Sequence, residues 1–162
     1  MIAGPALKLV LAETQLAALR DAARVAYPKE FCGLLIGAER PDNDDAGTVA
    51  QVTRIVFADN LDPHPERGFE LDPRVLIREL RALREAERAG RGRGERLLGH
   101  VHSHPDAPAI PSARDLSQAI ETGQIWLIVP VRKGRAGAPR AFQALTGVAG
   151  QTKFRPVRLA SS

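Results

Sequence analysis

The chain has 162 residues, of which 44% are hydrophobic and 26% are charged; these proportions argue against a disordered or fibrous chain and predict one globular domain over 1–162. The single cysteine excludes an internal disulfide and a cysteine-rich zinc cluster, so any metal site must rely on histidine and carboxylate ligands. The net charge of +4 is compatible with nucleic-acid binding, but one tryptophan, one tyrosine and five phenylalanines give few surfaces for stacking bases, which disfavours that function.

The hydropathy of the chain bears on its location. No stretch approaches the roughly 20 apolar residues of a transmembrane helix, and residues 1–5 lack the order of charges and apolar residues found in a signal peptide. A lone cysteine suits a reducing compartment. We therefore expect a cytoplasmic protein with no membrane segment.

The first third of the chain is predicted to fold as strand, helix, strand and strand. Residues 7–11 form a short apolar strand, and Thr14 is a candidate N-cap for a helix that Pro28 ends. The nearly continuous apolar run 31–37 predicts a strand at the centre of a sheet, covered on both faces. A polar turn separates it from the strand at 49–57, which predicts a hairpin.

The middle of the chain is predicted to be a surface loop over 59–72 followed by a long helix. Pro73 suits the first helical position and Asp72 is placed to cap it. Leucines share one face of this helix and arginines the other, so the arginine face is interpreted as solvated. The apolar face consists of Leu76, Leu80 and Leu83.

The last part of the chain completes an α/β pattern. It is predicted to hold a strand over 96–103, a helix over 112–122, a strand over 125–129, and two edge strands around Phe142 and Phe154 joined by 147–150. Ser112 followed by Asp115 has the spacing of a capping box. The whole pattern predicts an α/β fold with one mixed sheet flanked by about three helices.

Three of the four histidines lie within five residues, at His100, His102 and His104. On a strand this spacing places them on the same face, and Pro105 ends the strand where two imidazoles could converge on one ion. A catalytic zinc usually takes three protein ligands and a water, and Asp115, one loop and one helical turn further on, is the candidate carboxylate. The same residues are also compatible with a polar strand end and a simple helix cap.

The ordered string His102-Ser103-His104-Pro105, followed by Ser112 and Asp115, resembles the motif of the JAMM (MPN+) family of zinc metalloproteases. That motif also has an upstream glutamate, and Glu30, directly before the apolar run 31–37, matches it in type and position. The resemblance covers most of the chain and is closest to the compact bacterial members. It implies the JAMM/MPN fold, an α/β fold related to that of cytidine deaminase.

The resemblance also implies the chemistry. His102, His104 and Asp115 would bind Zn²⁺, leaving one position for water. Glu30 would act as general base, and Ser112 would donate a hydrogen bond to the oxyanion. The implied reaction is hydrolysis of a peptide or isopeptide bond, after the Gly-Gly tail of a ubiquitin-like or sulfur-carrier protein.

The remaining polar residues near the motif are interpreted more simply. His100 is expected to support the site or the fold without binding the metal, because a third histidine would close the water position. Cys32 is expected to be a small core residue and His64 an exposed loop residue. Ser103 should point to the opposite face of the strand and bond nearby backbone.

Alternatives remain for partner and class. An extended tail could add as a strand beside the site, and three arginines, Arg93, Arg96 and Arg114, could attract an acidic carrier. A non-catalytic MPN scaffold is disfavoured because every motif position is filled, and a basic nucleic-acid-binding domain because no binding signature is present. The sequence leaves the oligomeric state open.

Overall fold

A computed structural model describes residues 6–146 and 150–162. Within these residues, three helices and eight strands follow one another as β1 (Ala6–Leu11), α1 (Glu13–Ala26), β2 (Cys32–Pro41), β3 (Gly47–Ala58), α2 (Pro73–Arg88), β4 (Arg96–Pro105), α3 (Ala113–Gln118), β5 (Ile125–Arg132), β6 (Arg135–Ala136), β7 (Arg140–Thr146) and β8 (Thr152–Ser161). The order confirms the predicted α/β pattern with three helices.

The strands form one mixed sheet. Their order is β4-β2-β3-β1-β8-β7-β5-β6, and β4 also pairs with β5, so the sheet closes on itself. Three pairings are parallel, namely β1 with β3, β1 with β8, and β4 with β5, whereas the others are antiparallel. The mixed sheet was predicted; its closure was not.

The strand after Glu30 occupies the predicted place. Strand β2 lies between β3 and β4, and β2 and β3 form the predicted hairpin. Because both of its edges are paired, β2 can be almost wholly apolar in its first half, where residues 32–37 are buried.

The two faces of the sheet carry separate apolar clusters. Alternate residues of β5 belong to different clusters, with Leu127 on the face covered by α1 and Trp126 on the other. On β4, Val101 packs into the α1-covered cluster, so the histidines on either side of it lie on the Trp126 face. This alternation places the predicted metal ligands on the face that also carries Phe69 and α3.

Helix α2 begins as predicted, because Asp72 Oδ1 accepts a hydrogen bond from the Arg74 amide at 2.9 Å. Its predicted apolar face is only half-buried. The one buried residue of α2 is Glu79, whose Oε2 accepts a hydrogen bond from Arg54 Nη1 of β3 at 2.6 Å. Within the described part of the chain, no helix is long and apolar enough to cross a membrane.

Two helix boundaries differ from the prediction. Helix α1 begins at Glu13, with Ala12 rather than Thr14 as N-cap, because the Gln15 side chain accepts a hydrogen bond from the Ala12 amide at 2.8 Å. Helix α3 ends at Gln118 rather than at residue 122. Gly123, at a φ of 89°, then turns the chain into β5, and its amide bonds the Ala144 carbonyl at 2.7 Å.

The prediction that the last two strands are edges was wrong. Strand β7 lies between β5 and β8, and β8 lies between β7 and β1. The closure of the sheet therefore gives both strands partners on both sides. The predicted connection at 147–150 falls largely outside the described residues, and strand β6 was not predicted.

Candidate metal centre

Two histidines of β4 and an aspartate of α3 converge on one point. His102 is 0% exposed, and His104 and Asp115 are also buried. The Nε2 atoms of His102 and His104 are 3.0 Å apart. His102 Nε2 lies 3.3 Å from Asp115 Oδ1, and His104 Nε2 lies 3.2 Å from Asp115 Oδ2. The sequence prediction therefore named three residues that the fold brings together.

A capping box aims the aspartate. The Asp115 amide donates to Ser112 Oγ at 3.1 Å, while the Ser112 amide donates to Asp115 Oδ2 at 2.6 Å. The Ser112 hydroxyl also donates to Asp115 Oδ2, at 2.8 Å. Burial alone would raise the pKa of Asp115, but the hydrogen bonds from the two histidines outweigh it and lower that pKa well below its usual range. Asp115 is therefore an anionic carboxylate.

The geometry of the three side chains fits a zinc ion. Their candidate ligand atoms all lie within 4.8 Å of one another, and ligands of a tetrahedral zinc with bonds of about 2.0–2.1 Å are separated by roughly 3.3 Å. His104 Nδ1 lies 2.9 Å from the Pro108 carbonyl, which can only accept, so Nδ1 carries a proton. When the ring is neutral, its Nε2 therefore has a lone pair for a metal ion. The donor set of two imidazoles and one carboxylate is one that zinc prefers.

The two histidines differ in their electrostatics. Burial lowers the pKa of His102, which keeps its ring neutral, and its Nδ1 is buried without a hydrogen-bond partner in the described residues. Burial acts in the same direction on His104, but the hydrogen bond to Asp115 outweighs it and raises the pKa of His104. A divalent cation would replace the proton that this cluster otherwise attracts.

Glu30 lies in the segment between α1 and β2 and is only 7% exposed. Its amide donates to the Pro65 carbonyl at 2.6 Å, and its Oε2 is buried without a hydrogen-bond partner in the described residues. Burial raises the pKa of Glu30 to about 7, although the neighbouring His104 and Arg114 act to lower it. A pKa in this range is the one that a general acid–base group needs near neutral pH.

A groove of about 380 Å³ opens over this carboxylate. Glu30, His104 and Ser112 share the groove, so the candidate base, a candidate metal ligand and the candidate oxyanion donor face the same space. Its other walls come from the loop 106–111, including Pro108 and Ile110, and from Glu66 and Arg67. The groove is large enough for a short extended peptide but not for a folded domain.

The other polar residues near the motif behave as expected. His100 stays outside the converging group, and burial lowers its pKa to about 3. Cys32 is buried, with its pKa raised by burial to about 12. His64 is exposed. Ser103 points to the opposite face of β4 from the histidines, where its Oγ accepts a hydrogen bond from the Phe31 amide at 2.9 Å.

The structure bears on two expectations about substrate binding. Arg96 opens β4, six residues before His102, which is about 20 Å at the rise of an extended strand; Arg93 lies at the same end, and Arg114 is paired with Asp62. None of the three arginines therefore offers a free charge at the groove. In the described residues β4 is hydrogen-bonded on both sides, by β2 and β5, so it has no free edge to which a tail could add.

Sequence reasoning missed four residues that shape the site. Phe69 stacks on His102 with ring centroids 4.5 Å apart, and Trp126 packs edge-on against His100 with centroids 4.0 Å apart. Asn60 and Asp62 bond the segments that carry Glu30 and Asp115. All four act across long sequence separations, and no spacing in the sequence indicates their contacts at the site.

Comparison with known proteins gives a consistent assignment. Residues 12–145 match the model of a family described as prokaryotic homologs of the JAB domain. A desampylase of Haloferax volcanii is 32% identical over 109 residues, which cover 67% of this chain and 68% of that protein. A probable TtuB-protein conjugate cleaving protease of Thermus thermophilus is 36% identical over 110 residues, which cover 68% of this chain and 59% of that protein.

Solved structures agree with this match. A protein of Desulfitobacterium hafniense has 30% sequence identity and a TM-score of 0.63, with 96% of this chain and 94% of that chain covered. A JAB1/MPN domain protein of Archaeoglobus fulgidus has 19% identity and a TM-score of 0.51, with 97% and 100% covered. The second likeness concerns the fold alone.

Proposed function

Because the chain belongs to the family of prokaryotic homologs of the JAB domain, we propose that it is a zinc-dependent isopeptidase of the JAMM type. The observation that carries this proposal is the convergence of His102, His104 and Asp115 beside Glu30, a buried carboxylate without a hydrogen-bond partner in the described residues. A purely structural metal site would have no need of such a carboxylate, whereas a hydrolase needs a base that is not a ligand. The desampylase and protease activities of its relatives support the same class.

The ligands would be His102 Nε2, His104 Nε2 and an oxygen of Asp115. When bound there, zinc supplies Lewis acidity and lowers the pKa of water toward about 7. The Glu30 carboxylate takes a proton from the attacking water and gives it to the leaving amine. The amine therefore departs as a neutral group and not as an amide anion. A pKa of about 7 suits both steps, since the group must be a base first and an acid afterwards.

Ser112 is proposed to stabilise the oxyanion. Its hydroxyl now donates to Asp115 Oδ2, and the Ser112 amide donates to the same oxygen. Rotation of the hydroxyl toward the groove would therefore leave the carboxylate with one donor from this residue. Ser112 lies in the wall of the groove, where a carbonyl of the substrate would enter.

The proposed substrate is a conjugate of a ubiquitin-like or sulfur-carrier protein, cleaved after its Gly-Gly tail. The Haloferax desampylase and the Thermus protease that cleaves TtuB-protein conjugates support a substrate of this kind. Since both edges of β4 are paired with strands of the described chain, the tail would lie in the groove between the loop 106–111 and the Glu66–Arg67 wall. We place the reaction in the cytoplasm, the compartment that the lone cysteine favours.

Metal analysis and activity together test the proposal. The wild type should bind about one zinc per chain and cleave a ubiquitin-like conjugate. His102→Ala should lose both properties, and Glu30→Gln should keep the zinc and lose cleavage. His64→Ala, which removes an exposed histidine outside the site, serves as control and should keep both. A wild type that binds no zinc would overturn the proposal, and one that binds zinc without cleaving any conjugate would favour a scaffold.

A further inference from the structure

The loop between β3 and α2 contains an asparagine whose side chain is fully bonded. Asn60 Nδ2 donates to the Glu30 carbonyl at 2.9 Å and to the Gly68 carbonyl at 3.0 Å. Asn60 Oδ1 accepts from the amides of Asp62 and Glu70, each at 3.0 Å. These four bonds use both donors and both lone pairs of the amide. One side chain thus ties the two ends of the loop to the backbone of Glu30.

The same loop holds helix α3 through an ion pair. Asp62 is buried, its Oδ2 pairs with Arg114, and its Oδ1 accepts from the His64 amide at 2.8 Å. Arg114 immediately precedes Asp115 on α3. Gly68 crosses directly over the Arg114 guanidinium, and a Cβ at that position would collide with it. The loop therefore contacts α3 at Arg114, one residue before the aspartate of the metal cluster.

These contacts matter because Glu30 has so few of its own. Its Oε2 finds no hydrogen-bond partner in the described residues, so the carboxylate is placed mainly by the backbone that carries it. That backbone is held by the Pro65 carbonyl and by Asn60, both from the loop. The loop therefore binds both segments and contributes to setting the distance between the Glu30 carboxylate and Asp115.

We propose that Asn60, Asp62 and Arg114 are positioning residues, which fix Glu30 and Asp115 relative to each other through the loop 59–72. Assigning Glu30 as the group that must be positioned rests on the proposed function. A stabilising role alone explains the arrangement poorly, because the pair joins a buried carboxylate to a guanidinium that is 43% exposed, and ion pairs at the protein surface contribute little to stability. Asn60 contacts the Glu30 segment, whereas the Asp62–Arg114 pair contacts α3. Substitutions in the two should therefore affect different measured properties.

The test uses Asn60→Ala, Asp62→Asn and Arg114→Gln, with Glu79→Gln as matched control. Glu79 is also a buried carboxylate paired with an arginine, but it joins α2 to β3 away from the groove. Zinc affinity is measured by chelator competition, and exchange of the Glu30 amide hydrogen by NMR. The values of kcat and KM are measured on a ubiquitin-like conjugate at saturating zinc.

The expected results differ between the two parts of the network. Asp62→Asn and Arg114→Gln should each raise the Kd for zinc about 10-fold, and the double variant should be little worse than either, because they break one interaction. Asn60→Ala should leave the zinc Kd within about 2-fold of wild type but accelerate exchange of the Glu30 amide and lower kcat at least 10-fold, with little change in KM. Glu79→Gln should lower only the Tm.

The inference is overturned if the three variants behave like Glu79→Gln, losing thermal stability while the zinc Kd, the Glu30 amide exchange and kcat keep their wild-type values. Failure of the proposed function looks different. In that case the wild type binds no zinc or cleaves no conjugate, but exchange of the Glu30 amide in Asn60→Ala, compared with Glu79→Gln, still decides whether the loop positions the Glu30 segment.

Discussion

The amide of Phe31 donates a hydrogen bond to Ser103 Oγ at 2.9 Å, and both residues are buried. Phe31 directly follows Glu30, and Ser103 stands between the two histidines of the metal cluster. A second bond, from the Ser103 amide to the Phe31 carbonyl at 3.1 Å, runs beside the first. The residue that separates the two histidines therefore holds the segment of the candidate base.

Ser103→Ala should leave the Phe31 amide buried without a partner, at a cost of about 1–3 kcal/mol in the free energy of unfolding. Loosening of this segment should also lower kcat, while both histidines remain in place to bind zinc. Urea unfolding, zinc content and kcat would check these outcomes. Ser103→Thr keeps the hydroxyl and should restore most of the activity; equal kcat in Ser103→Ala and wild type would contradict the link to Glu30.

Ser112 is the N-cap of α3, orients Asp115 through its hydroxyl and is the candidate oxyanion donor. Ser112→Ala should cost about 1 kcal/mol of stability through loss of the cap and lower kcat about 10²- to 10³-fold through loss of the donor. Asp72→Ala is the matched control, since it removes the N-cap of α2 at a distance from the groove. Steady-state kinetics of both variants, with thermal unfolding, would separate the roles. If Ser112→Ala and Asp72→Ala lost kcat to a similar extent, loss of a helix cap would explain the effect and Ser112 would not be the oxyanion donor.

The parts of the site that were predicted from the sequence involve residues only two or three positions apart in the chain. His102 and His104 share a face because they are two residues apart on a strand, and Ser112 aims Asp115 because they are three apart at a helix start. The position of Glu30 was predicted from the family motif. Its burial was not predictable from its neighbours Pro28 and Lys29, which by themselves indicate an exposed turn.

The features that escaped prediction depend on the closed sheet and on the long loop. Strands β7 and β8 were expected at an edge because their order in the chain says nothing of the parallel pairing of β8 with β1. Asn60 and Asp62 sit in a loop without periodicity, and their partners lie 30 and 52 residues away. Only the tertiary structure places them at the site.

His100 and His102 are adjacent on the same face of β4 but should respond differently to the same substitution. His100 has a ring that is neutral, with a pKa near 3 because of burial, and its Nε2 is buried without a partner in the described residues. His100→Leu keeps a similar volume against Trp126 and removes this unpaired nitrogen, so it should retain one zinc per chain and at least wild-type stability. His102→Leu should lose the metal. Zinc analysis of the two proteins checks the assignment, and loss of zinc in His100→Leu would refute it.

Glu30 should make the zinc-free protein less stable as the pH rises. Its pKa is raised by burial from 4.5 to about 7, so between these values the folded state keeps a proton that the unfolded state has released, and the free energy of unfolding falls with increasing pH. Glu30→Gln resembles the protonated form at every pH. It should match the wild type near pH 4 and exceed it in stability by about 3 kcal/mol at pH 8, since one pKa unit corresponds to about 1.4 kcal/mol.

Urea unfolding of both chelator-treated proteins at pH 5, 6, 7 and 8 would measure this difference. Glu79→Gln is the control, because the pKa of Glu79 is shifted in the opposite direction from that of Glu30. The arginines beside Glu79 outweigh its desolvation and lower its pKa below 4.5, so its contribution is complete above pH 5 and the destabilisation in Glu79→Gln should be constant across this range. If the difference in the free energy of unfolding between wild type and Glu30→Gln did not change with pH either, the pKa of Glu30 would be the same in the folded and unfolded states. The claim that Glu30 binds a proton near neutral pH would then be wrong.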